Sequence, residues 1–160
     1  MVESGDTVTP SVALNLVKRG VYVSIPHHPS IGTIVICDFA GKIPEMASRH
    51  PAVIVSPQLP GRNMLCAVVP LSTTEPDIIK PYHYKLHFSP LLPHPYTNDF
   101  SWVKADLITT VSLERLHLLR RGKSMGTRKY DIRVISAHDL KEIQKCVLHA
   151  LQLSCLTGHL

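Results

Sequence analysis

Residues 49–74, RHPAVIVSPQLPGRNMLCAVVPLSTT, contain two short apolar runs, 52–56 and 64–69, separated by the turn formers Pro57, Pro60, Gly61 and Asn63. β-Branched runs this short, bounded by Pro, Gly and Asn, predict a β-hairpin in the core of a small sheet. Antiparallel neighbours run back past each other. Arg49 and His50, which enter the first strand, should therefore share one end of the hairpin with Ser72, Thr73 and Thr74, which leave the second. A basic pair and a hydroxyl cluster at one end of a sheet make a candidate site, and the remaining chain has to be arranged around it.

Upstream, residues 34–39 (IVICDF) have the β-branched and aromatic content of a strand. Residues 40–48 carry Gly41, Pro44 and Glu45 and should form a loop into the hairpin. Residues 1–30 look like an appendage and linker, with a short helix capped by Thr9 and ending at Gly20, then the proline-broken Ile25-Pro26-His27-His28-Pro29-Ser30. The main domain then covers 31–160. Downstream of the hairpin, Tyr82, Tyr84, Leu86 and Phe88 alternate with His83, Lys85 and His87, the period of a half-exposed strand. Residues 102–111 (WVKADLITTV) read as a strand pair broken after Asp106. Residues 136–153 give the clearest helix, with Ser136 as N-cap, Asp139 three residues on, and an apolar stripe of Leu140, Ile143, Val147, Leu148 and Leu151. The pattern is α+β, mainly β, with the helix packed on the sheet and His149 structural.

At 160 residues the chain suits one domain with a proper core. No apolar run approaches the ~18 residues needed to span a bilayer, and MVESGDTVTP lacks the basic start of a secretory signal. Both point to a cytoplasmic protein without membrane contact. Cys37, Cys66, Cys146 and Cys155 are scattered, with no C-x-x-C pair, and read as buried free thiols. The ten histidines are equally dispersed. Neither a metal site nor a cofactor is expected.

The net charge of +5 is unevenly placed. Arg115, Arg120, Arg121, Lys123, Arg128, Lys129 and Arg133 face one acid, Asp131, within 115–133, and the rest of the chain is close to neutral. Basic density of this kind is an electrostatic footprint for phosphate, most often that of nucleic acid. The competing reading is a solvated basic loop around Gly122 and Gly126 that aids solubility.

No Gly-rich phosphate loop, H-E-x-x-H or G-x-S-x-G occurs, which removes common nucleotide-binding, metalloprotease and hydrolase readings. What remains are polar residues at strand ends: Glu45, Arg49, His50, Ser72, Thr73, Lys104 and Asp106. Cleaving RNA without a metal needs a base for the 2′-hydroxyl proton, an acid for the leaving 5′-oxygen, and cations around the developing charge. Asp106 or Glu45 would serve as base, His50 as acid, and Arg49 and Lys104 as phosphate stabilisers.

In their order and spacing these residues resemble the PemK/MazF toxins of type II toxin-antitoxin systems. The resemblance runs from Gly32-Thr33-Ile34-Val35 through Glu45, His50-Pro51-Ala52-Val53-Ile54-Val55-Ser56, Val69-Pro70-Leu71-Ser72-Thr73 and Val103-Lys104-Ala105-Asp106 to the terminal helix. It implies a compact SH3-like, PemK-type β-barrel and a homodimer that binds RNA across its interface. It also implies a metal-independent, ribosome-independent endoribonuclease and a small antitoxin that covers the RNA site. Carried over by position, the family's Arg before Pro falls on His50 with Arg49 one place early, its hydroxyl on Ser72, and its Arg-x-Asp on Lys104-Ala105-Asp106. Lys104 keeps the charge but loses the guanidinium fork. Two alternatives stay open: a non-catalytic barrel that inhibits a protein target, as the related CcdB toxins do to gyrase, and an RNA binder that has lost catalysis.

Overall fold

In the computed structural model, Ile25 and residues 27–160 are described; the helix expected before Gly20 lies outside them. The expected hairpin is formed by β2 (Ala47–Ile54) and β3 (Leu65–Ser72), with Ala52 opposite Pro70 and Val53 opposite Val69. Both strands extend further toward the polar end than the apolar runs do. Arg49, His50 and Ser72 consequently lie inside strands rather than flanking them. The loop before β2 is shortened to match, because Ala47 and Ser48 pair with Ala40 and Phe39 of β1 (Thr33–Ala40).

After the hairpin come β4 (His83–His87), β5 (Phe100–Lys104), a 3₁₀ turn over Ala105–Leu107, and β6 (Thr109–Ser112). The break expected after Asp106 is thus a full turn. Next are β7 (Leu116–His117), β8 (Leu119–Ser124), β9 (Thr127–Asp131), β10 (Arg133–Val134) and the helix α1 (Ala137–Ala150). The main sheet has the order β10-β1-β2-β3-β5-β4. β3 gives the first half of its outer edge to β6 and the last to β5, and β1 divides its edge between β10 and β7. Strands shared in this way turn a short sheet out of one plane and curl it into an antiparallel barrel-like body. The expected mainly-β architecture with a C-terminal helix is present.

The apolar runs are continuous because the central sheet is buried on both faces. Ile34, Ile36, Val53, Val69 and Leu71 meet Leu86, Val103 and α1 on one side, through Ile143 and Cys146. Val35, Cys37, Ala52, Ile54, Cys66 and Val68 meet Val111, Leu113 and Leu116 on the other. Ile25, read as linker, packs into this second cluster and donates its N–H to the Leu116 carbonyl at 3.3 Å.

Ser136 caps α1 by accepting the Asp139 N–H at 3.0 Å, and Tyr84 Oη donates to Asp139 Oδ1 at 2.7 Å, tying the capped end to β4. The helix stops at Ala150, short of the expected 153, and Leu151 is 54% exposed, so the apolar stripe ends one turn earlier than its pattern suggests. The basic segment, expected as a mobile turn, forms the β8–β9 hairpin. Its two-residue loop, Met125-Gly126, has φ of 49° and 78°, the left-handed pair that the twist of a tight hairpin requires. Among the described residues no helix is long and apolar enough to cross a membrane.

Candidate active site

β5 delivers Lys104 to the edge of the sheet, and the 3₁₀ turn that follows exposes Asp106. Lys104 stands directly across from His83 of β4, and Asp106 Oδ1 lies 4.0 Å from His83 Nε2. His83 belongs to the polar phase of its strand, yet its side chain is only 8% exposed. Its Nδ1 accepts the Lys80 backbone N–H at 3.2 Å, so the neutral ring carries its proton on Nε2, toward Asp106. Burial, and then the Lys104 ammonium, hold the His83 pKa below its ordinary value, against a smaller opposite pull from Asp106. At neutral pH this histidine is an uncharged donor beside a carboxylate.

Asp106 also lines a cleft of about 350 Å³ together with Glu45, Met46, Phe39, Thr109 and Arg115. Arg115 is held there by its Nε, which donates to the Asp38 carbonyl at 2.7 Å. Glu45 reaches the cleft because the loop closes tightly: its N–H donates to the Lys42 carbonyl at 2.6 Å and its Oε2 accepts the Lys42 N–H at 3.1 Å. The closure depends on Gly41, where a Cβ would collide with the Met46 carbonyl oxygen. Two carboxylates and a guanidinium thus border one solvent-filled space, the arrangement needed to move a proton beside a phosphate.

The hairpin end contributes separately. His50 pairs with Cys37, and period two places it on the same face as Ala52, Pro70 and Ser72. Arg49 points to the opposite face, where its Nε meets Asp38 Oδ2 at 3.0 Å in a half-exposed ion pair. The two basic residues therefore do not converge on one phosphate. His50 Nε2 lies 3.4 Å from Ser48 Oγ, and Ser48 adopts a left-handed φ of 62°. Ser72 Oγ accepts the Thr74 N–H at 3.1 Å, which folds exposed Thr73 and Thr74 into a turn. Ser72 faces Trp102 of β5, two residues before Lys104. Neither His50 nor Ser72 lines the cleft of Asp106 and Glu45.

The basic segment is divided among three places. Arg115 belongs to the cleft. Arg120, Arg121, Lys123, Arg128 and Lys129 ride on β8–β9. Arg133 is structural: it donates to Asp131 Oδ2 at 2.8 Å, to the Leu91 carbonyl at 3.2 Å and to the Pro90 carbonyl.

Thiol chemistry is absent from this constellation. Burial pushes Cys37 up to about 12, against the pull of Arg115, and Cys66 and Cys146 up to about 11. Cys155, expected to be buried, is exposed near the C-terminus, because the chain beyond α1 lies outside the core. Among the described residues no three His, Cys, Asp or Glu side chains gather as a metal would require. His83 is the residue that sequence reasoning overlooks. A histidine in the solvent phase of an alternating strand reads as surface, and only its register against Lys104 and the turn carrying Asp106 bury it.

Residues 30–151 match the family model of the PemK-like, MazF-like toxins of type II toxin-antitoxin systems. Among solved structures, an endoribonuclease in complex with its cognate antitoxin from a mycobacterial species superposes with a TM-score of 0.53 at 22% identity, covering 79% of this chain and 97% of that one. An endoribonuclease from a mycobacterial species gives 0.48 at 21% identity, covering 78% and 92%. A search of the curated proteins finds no match.

Proposed function

The chain belongs to the family of PemK-like, MazF-like toxins of type II toxin-antitoxin systems, and from that premise we propose that it is an endoribonuclease that cuts single-stranded RNA without a metal ion and without the ribosome. The observation that carries this reading is the position of Asp106, on a cleft with Glu45 and Arg115 and beside His83, which stands across from Lys104.

In the reaction, the 2′-oxygen of a ribose attacks the adjacent phosphorus. Its proton passes to a carboxylate, Asp106 or Glu45, the P–O5′ bond breaks, and O5′ leaves with a proton, giving a 2′,3′-cyclic phosphate and a 5′-hydroxyl. Arg115 and Lys104 offset the charge that gathers on the phosphate oxygens, the role a metal would otherwise take. His83 Nε2–H holds the Asp106 carboxylate or donates to the phosphate. The His50 imidazole and the Ser72 hydroxyl share the face at the hairpin end and act on the leaving side. Arg49, bound to Asp38, shapes that end from the other face.

Assembly as a homodimer with RNA across two copies, and neutralisation by a cognate antitoxin that covers the cleft, complete the proposal. The cytoplasm is where such a substrate is met.

The test is incubation of the isolated, antitoxin-free chain with varied single-stranded RNA in EDTA, followed by mapping of both ends. Cleavage with 2′,3′-cyclic phosphate ends is expected. Intact RNA accompanied by growth arrest and loss of supercoiling would sink the nuclease reading in favour of a gyrase-type inhibitor.

A further inference from the structure

A second cleft of about 360 Å³ lies between β8 and the proline-rich connection from β4 to β5, lined by Pro93, His94, Tyr96, Leu119, Arg120 and Arg121. None of these residues borders the Asp106 cleft. The connection is pinned to the body. Leu92 is buried in the core, Tyr96 packs against the same cluster, and the Tyr96 N–H donates to the Pro93 carbonyl at 2.9 Å. Arg133 ties the Pro90 and Leu91 carbonyls to Asp131. The walls are therefore set before any ligand arrives.

The opposite wall is cationic. Arg120 makes no ion pair or hydrogen bond among the described residues, and Arg121, 62% exposed, lies 4.0 Å from an Asp131 carboxylate that already binds Arg133 at 2.8 Å. A register shift between Arg120 and Gly122 bends the strand at this point.

We infer that this cleft binds one nucleotide of the RNA away from the scissile bond, with its phosphate on Arg120 and Arg121 and its base against Tyr96 and His94. The pairing of two guanidinium groups, one of them held only by a long contact to a carboxylate shared with Arg133, with aromatic rings suits a phosphate and a stacking base, and the volume admits one nucleotide. The cleft would thus contribute to which sequences are held and cut. The inference rests on the reading of the chain as an RNA-cleaving enzyme.

The experiment measures binding of a short single-stranded oligonucleotide with methylated 2′-hydroxyls, which cannot be cut, alongside cleavage of a dinucleotide too short to reach the second cleft. Arg120→Ser with Arg121→Ser, and Tyr96→Leu, should each weaken oligonucleotide binding by roughly tenfold or more, the size of one stacking or phosphate interaction. Dinucleotide cleavage should stay at the parent rate, and Tyr96→Phe should keep parent affinity because the ring is retained.

Parent affinity in the Arg and Tyr96→Leu variants would overturn the inference while leaving the nuclease reading intact, as would weakened binding of the antitoxin alone. A parent chain that neither bound nor cut RNA would remove the proposed function, and this inference with it.

Discussion

Two cationic regions of this molecule look alike in the sequence and differ in the folded chain. Arg115 is anchored to the Asp38 carbonyl and lines the cleft with Asp106, and Lys104 stands across from His83, whose ring lies 4.0 Å from the Asp106 carboxylate. On the β8–β9 hairpin, Lys123, Arg128 and Lys129 are exposed and carry no acidic partner among the described residues. Cations fixed beside a carboxylate can act on one phosphate at a defined distance. Cations on a projecting ribbon raise the local concentration of a polyanion without positioning it. Under the proposed function, the difference separates catalysis from capture.

The contrast can be broken first at Asp106. Asp106→Asn keeps the shape and removes one of the two proposed bases, and cleavage should fall by about 10²- to 10⁴-fold, the usual span for general acid–base catalysis. Single-turnover rates at fixed RNA would show it, and an unchanged rate would move the base to Glu45 or elsewhere. Arg115→Gln should cost about 10²- to 10³-fold in rate, as loss of one preorganised charge donor does, with thermal melting checking that removal of the bond to Asp38 has not unfolded the chain.

Arg133 tests the third fate of the basic segment. Arg133→Met leaves the Asp131 carboxylate, 9% exposed, without its near partner, and removal of one member of a buried pair destabilises by about 3–5 kcal/mol. Urea denaturation should register this with little change in RNA affinity per folded molecule. A loss of affinity without a loss of stability would place Arg133 in the capture group instead.

Smaller effects sharpen the capture side. Replacing Lys123, Arg128 and Lys129 together by Ser should leave the rate on very short RNA unchanged. For long RNA, the slope of log affinity against log salt should flatten by about 0.7 for each phosphate that the variant no longer neutralises. The smallest expected effect concerns pH. Because His83 is held below about 6.5, its ordinary value, the unfolded chain takes up its proton before the folded one does as pH falls. Its contribution to stability is fully present above that value and is lost as pH drops from there through the folded pKa. His83→Gln should flatten the acid side of the stability profile, and an unaltered profile would mean that His83 titrates alike in both states.

The fold was largely legible because its signals are local. The turn formers between residues 57 and 63 and the runs on either side announce the hairpin, the capped stripe after Ser136 announces α1, and the break after Asp106 announces the turn between β5 and β6. The errors fall where packing overrides a local cue. The polar starts of the hairpin strands continue as strand because β1 offers them backbone partners. Gly122 and Gly126 suggest mobility but serve a hairpin turn and a bulge. Leu151 continues a helical period but faces solvent, since the core cluster that α1 packs against does not reach it.

For the site, residue types and charge are determined by the sequence alone: Glu45, His50, Ser72, Lys104 and Asp106 are chemically able to move protons and bind phosphate wherever they lie. Which of them act together is a tertiary matter, because it depends on strand register and on which way each residue faces. One step along β2 sends Arg49 to Asp38 and His50 to the other face, and one cross-strand pair turns His83 from apparent surface into the neighbour of Lys104 and Asp106. Contacts between residues tens of positions apart leave no periodic trace in the chain, so only the folded sheet decides them.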